Sequence, residues 1–467
     1  MKYLSPVDSL FLLAERRHQP LHVGALCLFH RPEGAPADFA ATLAHHLRES
    51  TRATCPFNRR LQGRWALKSW DDTDDFDLHQ HFVHLSLPQP GRIRELLAMV
   101  SRVHSAHLDR AYPLWRTYLI EGLEDNRIAL YSKIHHSVVD GVAGIRLMLK
   151  SMSEDPFDSL NMPAPWEMRP RRTRHRRQRL STPVAQLSPA ARMAQLYATA
   201  RSGALSVPVV AKHIRHTLQD LHHHNPDVVG SLQAPRCILN SKITGSRRFA
   251  AQSYSSARIK AIARTTGGTS NDVILALCGS ALRRYLGELN ELPTSPLIAA
   301  VPVSIRREES ETGNEICLAL ANLGTHLDDP MARLTCVQGS MNYAKAMLRS
   351  MTPAQMMAYT LAMLGPGAMT LLPGIGGQRT VANVVISHVP GPRTPVYWQG
   401  CELDGIYPAS LVLDGFALNI TLISRHDKID FGILACRKTL PGVQRLLDYL
   451  DEALGELENA VGLPNAA

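Results

Sequence analysis

The segment KIHHSVVDGVAG, residues 133–144, sets His135 and His136 side by side and follows them with Asp140 and Gly141. An imidazole with an ordinary pKa of about 6.5 can take a proton from a hydroxyl and return it to a leaving group, as general base and then general acid. Neighbouring residues on a strand point to opposite faces, so these two rings are badly placed to grip one metal ion together. Two satisfied core histidines would be the default for an isolated pair. Here an Asp-Gly turn re-enters a helix directly afterwards, and an acid in that turn can hold the local geometry. The chain contains no GxSxG elbow, and none of its cysteines has a partner motif nearby, so nothing signals a covalent intermediate. GxGxxG, Walker and HExxH patterns are also absent. A bound hydroxyl attacking directly is the simpler chemistry, and neither a metal nor a resident cofactor is expected.

The elements that must position the pair can be read around it. Ser5-Pro6-Val7-Asp8 gives an N-cap serine, a first-turn proline and an early acid, which together start a helix. LHVGALCLF reads as a strand, and WRTYLIEGL and RIALYSKI flank a polar Glu124-Asp125-Asn126 turn, a hairpin whose second strand runs into His135. The apolar spacing after Gly141 suits a helix packed on that sheet. Farther on, SNDVILALCGSALRRYL is a helix opened by Thr269 or Ser270, PLIAAVPVSI a buried strand ending at Arg306-Arg307, and TVANVVISHV, FALNITLIS and KIDFGILAC further strands.

At 467 residues the chain can hold two domains. Residues 1–160 form the first expected domain, 161–235 a basic, partly helical linker with helices over Ala190–Ala204 and Val210–Leu221, and 236–467 the second. Of the formal charge of +10, Arg169 to Arg179 supplies seven arginines, so the remainder carries only +3. That run lacks the interleaved aromatics of a nucleic-acid surface, and no nucleic-acid partner is expected. A solvated linker attracted to anionic lipid fits it better. His222, His223 and His224 read as a solvated helix end. Eight scattered cysteines without CxxC spacing, and an N-terminus without a signal-peptide pattern, fit a reducing cytoplasm. The uncharged stretch from Ser350 to Gln378 is cut by prolines and glycines into pieces too short for a bilayer. A helix capped by Thr352, beginning at Pro353 and ending before Gly365, is expected there.

His135-His136-Ser137-Val138-Val139-Asp140-Gly141 matches the HHxxxDG motif of the CoA-dependent acyltransferase superfamily, which includes chloramphenicol acetyltransferase and the condensation domains of peptide synthetases. LSPVDSLFLLAERRHQPLHVGAL, Pro113-Leu114-Trp115, Asn271-Asp272, VPVSIRR and NVVISHVPGP narrow the likeness. Over nearly its whole length the sequence resembles the bacterial wax ester synthase/acyl-CoA:diacylglycerol acyltransferases.

The resemblance implies an α/β fold of two chloramphenicol-acetyltransferase-like domains, a pseudo-dimer with an interdomain tunnel admitting acyl-CoA as substrate and a long-chain alcohol or diacylglycerol. It makes His136 the base, His135 its support, and Asp140 a structural carboxylate held by an arginine, for which Arg306 is the candidate. Asn271 is either an oxyanion donor or, with Asp272, a helix-capping residue. Gly141 allows a tight turn or close substrate approach, and Pro113 and Trp115 are assigned to scaffold or tunnel wall. The family usually has asparagine where His388 stands, so no side-chain role is carried to that position. Arg247 and Arg248 read as an exposed basic turn in preference to a CoA phosphate contact. The expected place is the cytoplasm, peripherally at the inner membrane or at lipid inclusions. Two other functions compete: a condensation-type or polyketide-associated acyltransferase using a carrier-protein thioester, and a non-catalytic lipid-droplet binding protein.

Overall fold

The computed structural model describes residues 2–464 apart from 5, 64–68, 74–75, 169–207, 305–315 and 370–378. The contacts group the chain into two compact units: Met1–Arg169 with Ile238–Ser270 and Val384–Ala467, and Pro170–Cys237 with Asn271–Asn383.

Along the chain, α1 (Pro6–Ala14) is followed by β1 (His22–His30), α2 (Phe39–Glu49), β2 (Phe82–Ser86) and α3 (Ile93–Ser105). The expected hairpin is β3 (Trp115–Glu121) and β4 (Arg127–His135), and the expected helix after it is α4 (Gly141–Leu149). Next come β5 (Arg247–Ser255) and α5 (Ser256–Thr265). The second unit supplies α6 (Ser270–Glu288), β6 (Ile298–Ser304), β7 (Ile316–Asn322), α7 (Pro330–Arg349) and α8 (Pro353–Met369). The last stretch holds β8 (Val384–Pro390), β9 (Tyr397–Trp398), β10 (Cys401–Ala409), β11 (Leu418–Ser424), β12 (Lys428–Cys436) and α9 (Arg445–Ala460).

In the first unit, six strands lie in the order β9-β10-β1-β4-β3-β2. Only β2 and β3 run parallel. β10, from late in the chain, pairs antiparallel with β1 through a register shift between Leu403 and Gly405. A second group runs β8-β11-β12-β5, in which β8 and β11 are parallel and the other neighbours antiparallel. Apolar residues from both groups share one core: Trp115, Ile145 and Met148 pack with Val389 and Ile423. Helix α4 is thereby fixed to the sheet by the face that its apolar spacing predicted. In the second unit β6 and β7 pair antiparallel, and α6 passes close enough to Leu323 that a Cβ at Gly279 would lie 2.5 Å from its carbonyl oxygen.

Helix α8 begins with Thr352 and Gln355 exchanging bonds, Thr352 N–H to Gln355 Oε1 at 2.9 Å and Gln355 N–H to Thr352 Oγ1 at 3.4 Å, a capping box. It runs to Met369 instead of stopping before Gly365. Pro366 removes one N–H donor, but so near the end that few bonds depend on it. Residues 208–222 are helical, with His222, His223 and His224 exposed at or just past the end. Ser5, Ala190–Ala204, Arg306 and the Arg169–Arg179 run lie outside the described residues. No described helix is long and apolar enough to cross a membrane. All eight cysteines are free thiols, five of them buried.

Candidate active site

Strand pairing sets the backbone of the two histidines. The His135 N–H donates to the Leu114 carbonyl at 2.9 Å, and the His136 N–H donates to the Leu21 carbonyl at 3.0 Å, so flanking segments hold the pair from both sides. The Pro113-Leu114-Trp115 element thus serves His135 through its main chain. Trp115 is buried, donates its indole N–H to the Phe57 carbonyl at 2.7 Å and stacks on His81, which fits the scaffold reading. The chain then turns, Val138 N–H reaching the His135 carbonyl at 2.9 Å, and Asp140 caps α4 by accepting from the Ala143 N–H at 2.7 Å. A Cβ on Gly141 would meet nothing within 4 Å, and its φ is not positive. Neither clash nor backbone strain demands glycine there, so its effect is to leave the space at the helix start open.

His135 is fully enclosed. Its Nδ1 accepts from the Ser137 backbone N–H at 3.1 Å and lies 2.7 Å from Ser137 Oγ. An accepting Nδ1 puts the ring proton on Nε2, which faces Glu15 Oε1 at 3.5 Å. Glu15 also accepts from the Leu21 N–H at 3.1 Å and from Arg110 at 2.8 and 3.2 Å. Burial opposes its charge, but His135, the Leu21 amide and Arg110 outweigh burial and hold this carboxyl down to about 2.

His136 is half-buried and stacks on Phe11, with ring centroids 4.2 Å apart and planes at 19°. Asp8, Phe11 and Glu15 are spaced by three and four residues, so one face of α1 and its C-terminal extension meets both imidazoles. Of the two ring nitrogens, Nδ1 is buried without a hydrogen-bond partner among the described residues, and Nε2 is not so enclosed. Nε2 is therefore the atom that can meet a hydroxyl. The ring's pKa is not the ordinary one expected from the sequence: burial pushes it down, with Asp140 and Asp8 pulling the other way. A lowered value keeps the ring neutral, hence able to accept a proton, at neutral pH.

Behind the pair lies a buried polar cluster that motif reading does not reveal. His22 Nε2 is 2.7 Å from the His104 carbonyl, His104 Nδ1 is 2.6 Å from the Tyr131 hydroxyl, and Lys133 donates to the Val103 and Ala106 carbonyls at 2.6 and 2.5 Å. Lys133 thereby caps α3 from a neighbouring strand, and burial lowers its pKa to about 7. Gly24 makes room for Tyr131, whose hydroxyl would be 2.7 Å from a Cβ at that position.

In the second unit, Asn271 lies half-buried in the first turn of α6, and the buried Asp272 faces Lys345 Nζ at 3.1 Å. His388 Nε2 is 2.5 Å from Ser424 Oγ, and burial lowers its pKa to about 4. Arg247 is buried and donates to the Thr244 and His18 carbonyls, so it belongs to no exposed turn and is not free for a phosphate. No group of three or more His, Cys, Asp or Glu side chains able to hold a metal occurs among the described residues.

Residues 4–274 match the wax ester synthase/diacylglycerol acyltransferase catalytic domain, and residues 312–458 match the C-terminal domain of the same family. The O-acyltransferase WSD of Acinetobacter baylyi is 44% identical over 462 residues, covering 99% of this chain and 98% of that one. A putative diacylglycerol O-acyltransferase of Mycobacterium tuberculosis is 42% identical, covering 98% and 100%. Among solved structures, the wax ester synthase/diacylglycerol acyltransferase of Marinobacter aquaeolei superposes with a TM-score of 0.80 at 42% identity, covering 99% and 100%. The first condensation domain of the CDA synthetase, at 16% identity and a TM-score of 0.56 over 99% and 97%, shares the fold.

Proposed function

Because the chain belongs to the wax ester synthase/diacylglycerol acyltransferase family, we propose that it moves a long-chain acyl group from acyl-CoA to the hydroxyl of a long-chain alcohol or diacylglycerol, with His136 as general base. The relatives' names support O-acyl transfer. One observation carries the assignment of the base: just past the end of β4, His136 has Nδ1 enclosed, Nε2 less so, and a pKa lowered by burial.

In this reading Nε2 takes the hydroxyl proton as the alcohol oxygen bonds to the thioester carbonyl carbon. The tetrahedral intermediate collapses, the carbon–sulfur bond breaks, and the imidazolium returns its proton to the departing thiolate. One ester and one free CoA thiol result. His135, anchored by Ser137 and Glu15, positions the strand end without touching the reacting atoms. No acyl-enzyme is involved, and a peripheral contact between Arg169–Arg179 and anionic lipid belongs to the same proposal.

Thiol release and ester formation from a series of acyl-CoAs, with hexadecanol or dipalmitoylglycerol as acceptor, test the reaction directly. Release that requires an acceptor, with no mass added to the protein when acceptor is withheld, is expected. Acylated protein, or turnover only with a carrier-protein thioester, would refute it. Sedimentation with phosphatidylglycerol vesicles tests the lipid contact: the arginine-to-glutamine variant of residues 169–179 should bind less.

A further inference from the structure

Lys133 stands two residues before His135 on β4, buried on the same face of that strand. Both of its hydrogen bonds among the described residues go to main-chain carbonyls, Val103 at 2.6 Å and Ala106 at 2.5 Å. A methionine would fill the same space as its stem, so what lysine adds here is a head group able to bridge two acceptors.

Those acceptors belong to the end of α3, where the last carbonyls have no partner within the helix. A third carbonyl of that end, His104, accepts from His22 Nε2 at 2.7 Å. His22 lies opposite His135 in the β1–β4 register, and Gly24 lies opposite Lys133. Two paired strands therefore hold the end of α3 with side chains that flank the site.

The chain leaves α3 at Ala106 and comes back to β4 at Leu114, whose carbonyl accepts from the His135 N–H at 2.9 Å. The Ala106–Leu114 segment is thus fastened to β4 at both ends, by the Lys133 side chain and the His135 main chain. Tying both ends of a loop removes much of its freedom. From within the segment, Arg110 donates to Glu15 Oε2 at 2.8 and 3.2 Å and to the Leu12 carbonyl at 2.8 Å. His107 Nδ1 faces Glu15 Oε1 at 3.5 Å, and its Nε2 donates to the Arg17 carbonyl at 3.0 Å. Glu15 is in turn the carboxylate that faces His135 Nε2. The contacts close a circuit that starts and ends on β4.

We propose that Lys133 is a positioning residue for the histidine pair: by clamping the end of α3, it fixes the segment from which His107 and Arg110 hold Glu15 against His135. It touches no reacting atom. The inference rests on the reading of His136 as the base and adds what keeps its neighbour in place.

The test uses the full chain, well below the melting temperature of each variant. Lys133→Met should lower kcat about tenfold while KM for palmitoyl-CoA stays within about twofold, because a displaced base costs turnover more than binding. Introduced into Arg110→Met, the same change should lower kcat by only about threefold or less, since both residues act through Glu15. Hydrogen exchange, which needs no turnover, should quicken in Lys133→Met at residues 103–112 and also at 135–138. Full kcat in Lys133→Met, or an equal loss with and without Arg110, would make Lys133 a stabiliser of α3 alone and overturn the proposal. Exchange that quickens at 103–112 only would overturn it as well. If Lys133→Met does not fold, Lys133→Gln, which keeps a donor on a shorter stem, carries the same measurements with the same expected directions. Absence of thiol release by the wild type would refute the transferase reading separately, while the exchange pattern still decides the role of Lys133.

Discussion

Phe11 and Glu15 divide the work of holding the two imidazoles, one by covering His136 and the other by anchoring His135. Removing the cover should let water reach the His136 ring and raise its lowered pKa toward the ordinary value. Phe11→Ala is therefore expected to move the acid limb of the kcat/KM–pH profile to higher pH; an unmoved limb would mean that Phe11 does not desolvate the base. Gly141→Ala should fold with unchanged thermal stability, since its Cβ meets nothing, yet lose about tenfold or more in kcat/KM if the open space admits substrate. His135, His136, Asp140 and Gly141 were legible because the chemistry lies within one local run. Phe11, Glu15 and Arg110 were not, because they reach the pair from distant parts of the sequence and only the fold joins them.

The strands flanking the pair were also readable, for their alternation and their bounding polar turns are local signals. β10 was not: Gly405 and Pro408 argue against a strand, yet it pairs with β1 beside the site-bearing β4. What admits it is close packing against β12, where a Cβ at Gly432 would sit 1.9 Å from the Pro408 carbonyl oxygen. Gly432→Ala is expected to lower stability by about 3 kcal/mol or more through overpacking against backbone. By contrast, Gly455→Ala, in the interior of α9 with open space around it, should raise stability by about 0.8 kcal/mol. Urea unfolding of both variants checks the pair; equal midpoints would contradict the packing.

For the whole molecule, the first unit gathers three separate stretches of chain, a grouping that boundaries written along a sequence cannot display. Its core buries neutral histidines, and acid should therefore loosen it. His104 and His388 titrate at about 3 and about 4 when folded, and His22 also lies well below its ordinary value. Their unfolded forms bind protons near 6.5, so the stability they give is complete above about pH 6.5 and is lost as pH falls toward the folded values. Glu15 adds to the loss between about 4.5 and 2, because its folded carboxyl is the stronger acid. The urea midpoint should decline from pH 6.5 downward; a midpoint flat to pH 4 would contradict the buried neutral rings. The proposed reaction turns on one imidazole, His136, and replacing it is the most direct measurement. Thiol release from palmitoyl-CoA with hexadecanol should fall by about a thousandfold in His136→Ala, with the melting temperature close to wild type. Wild-type turnover by that folded variant would contradict the role of His136 as the base.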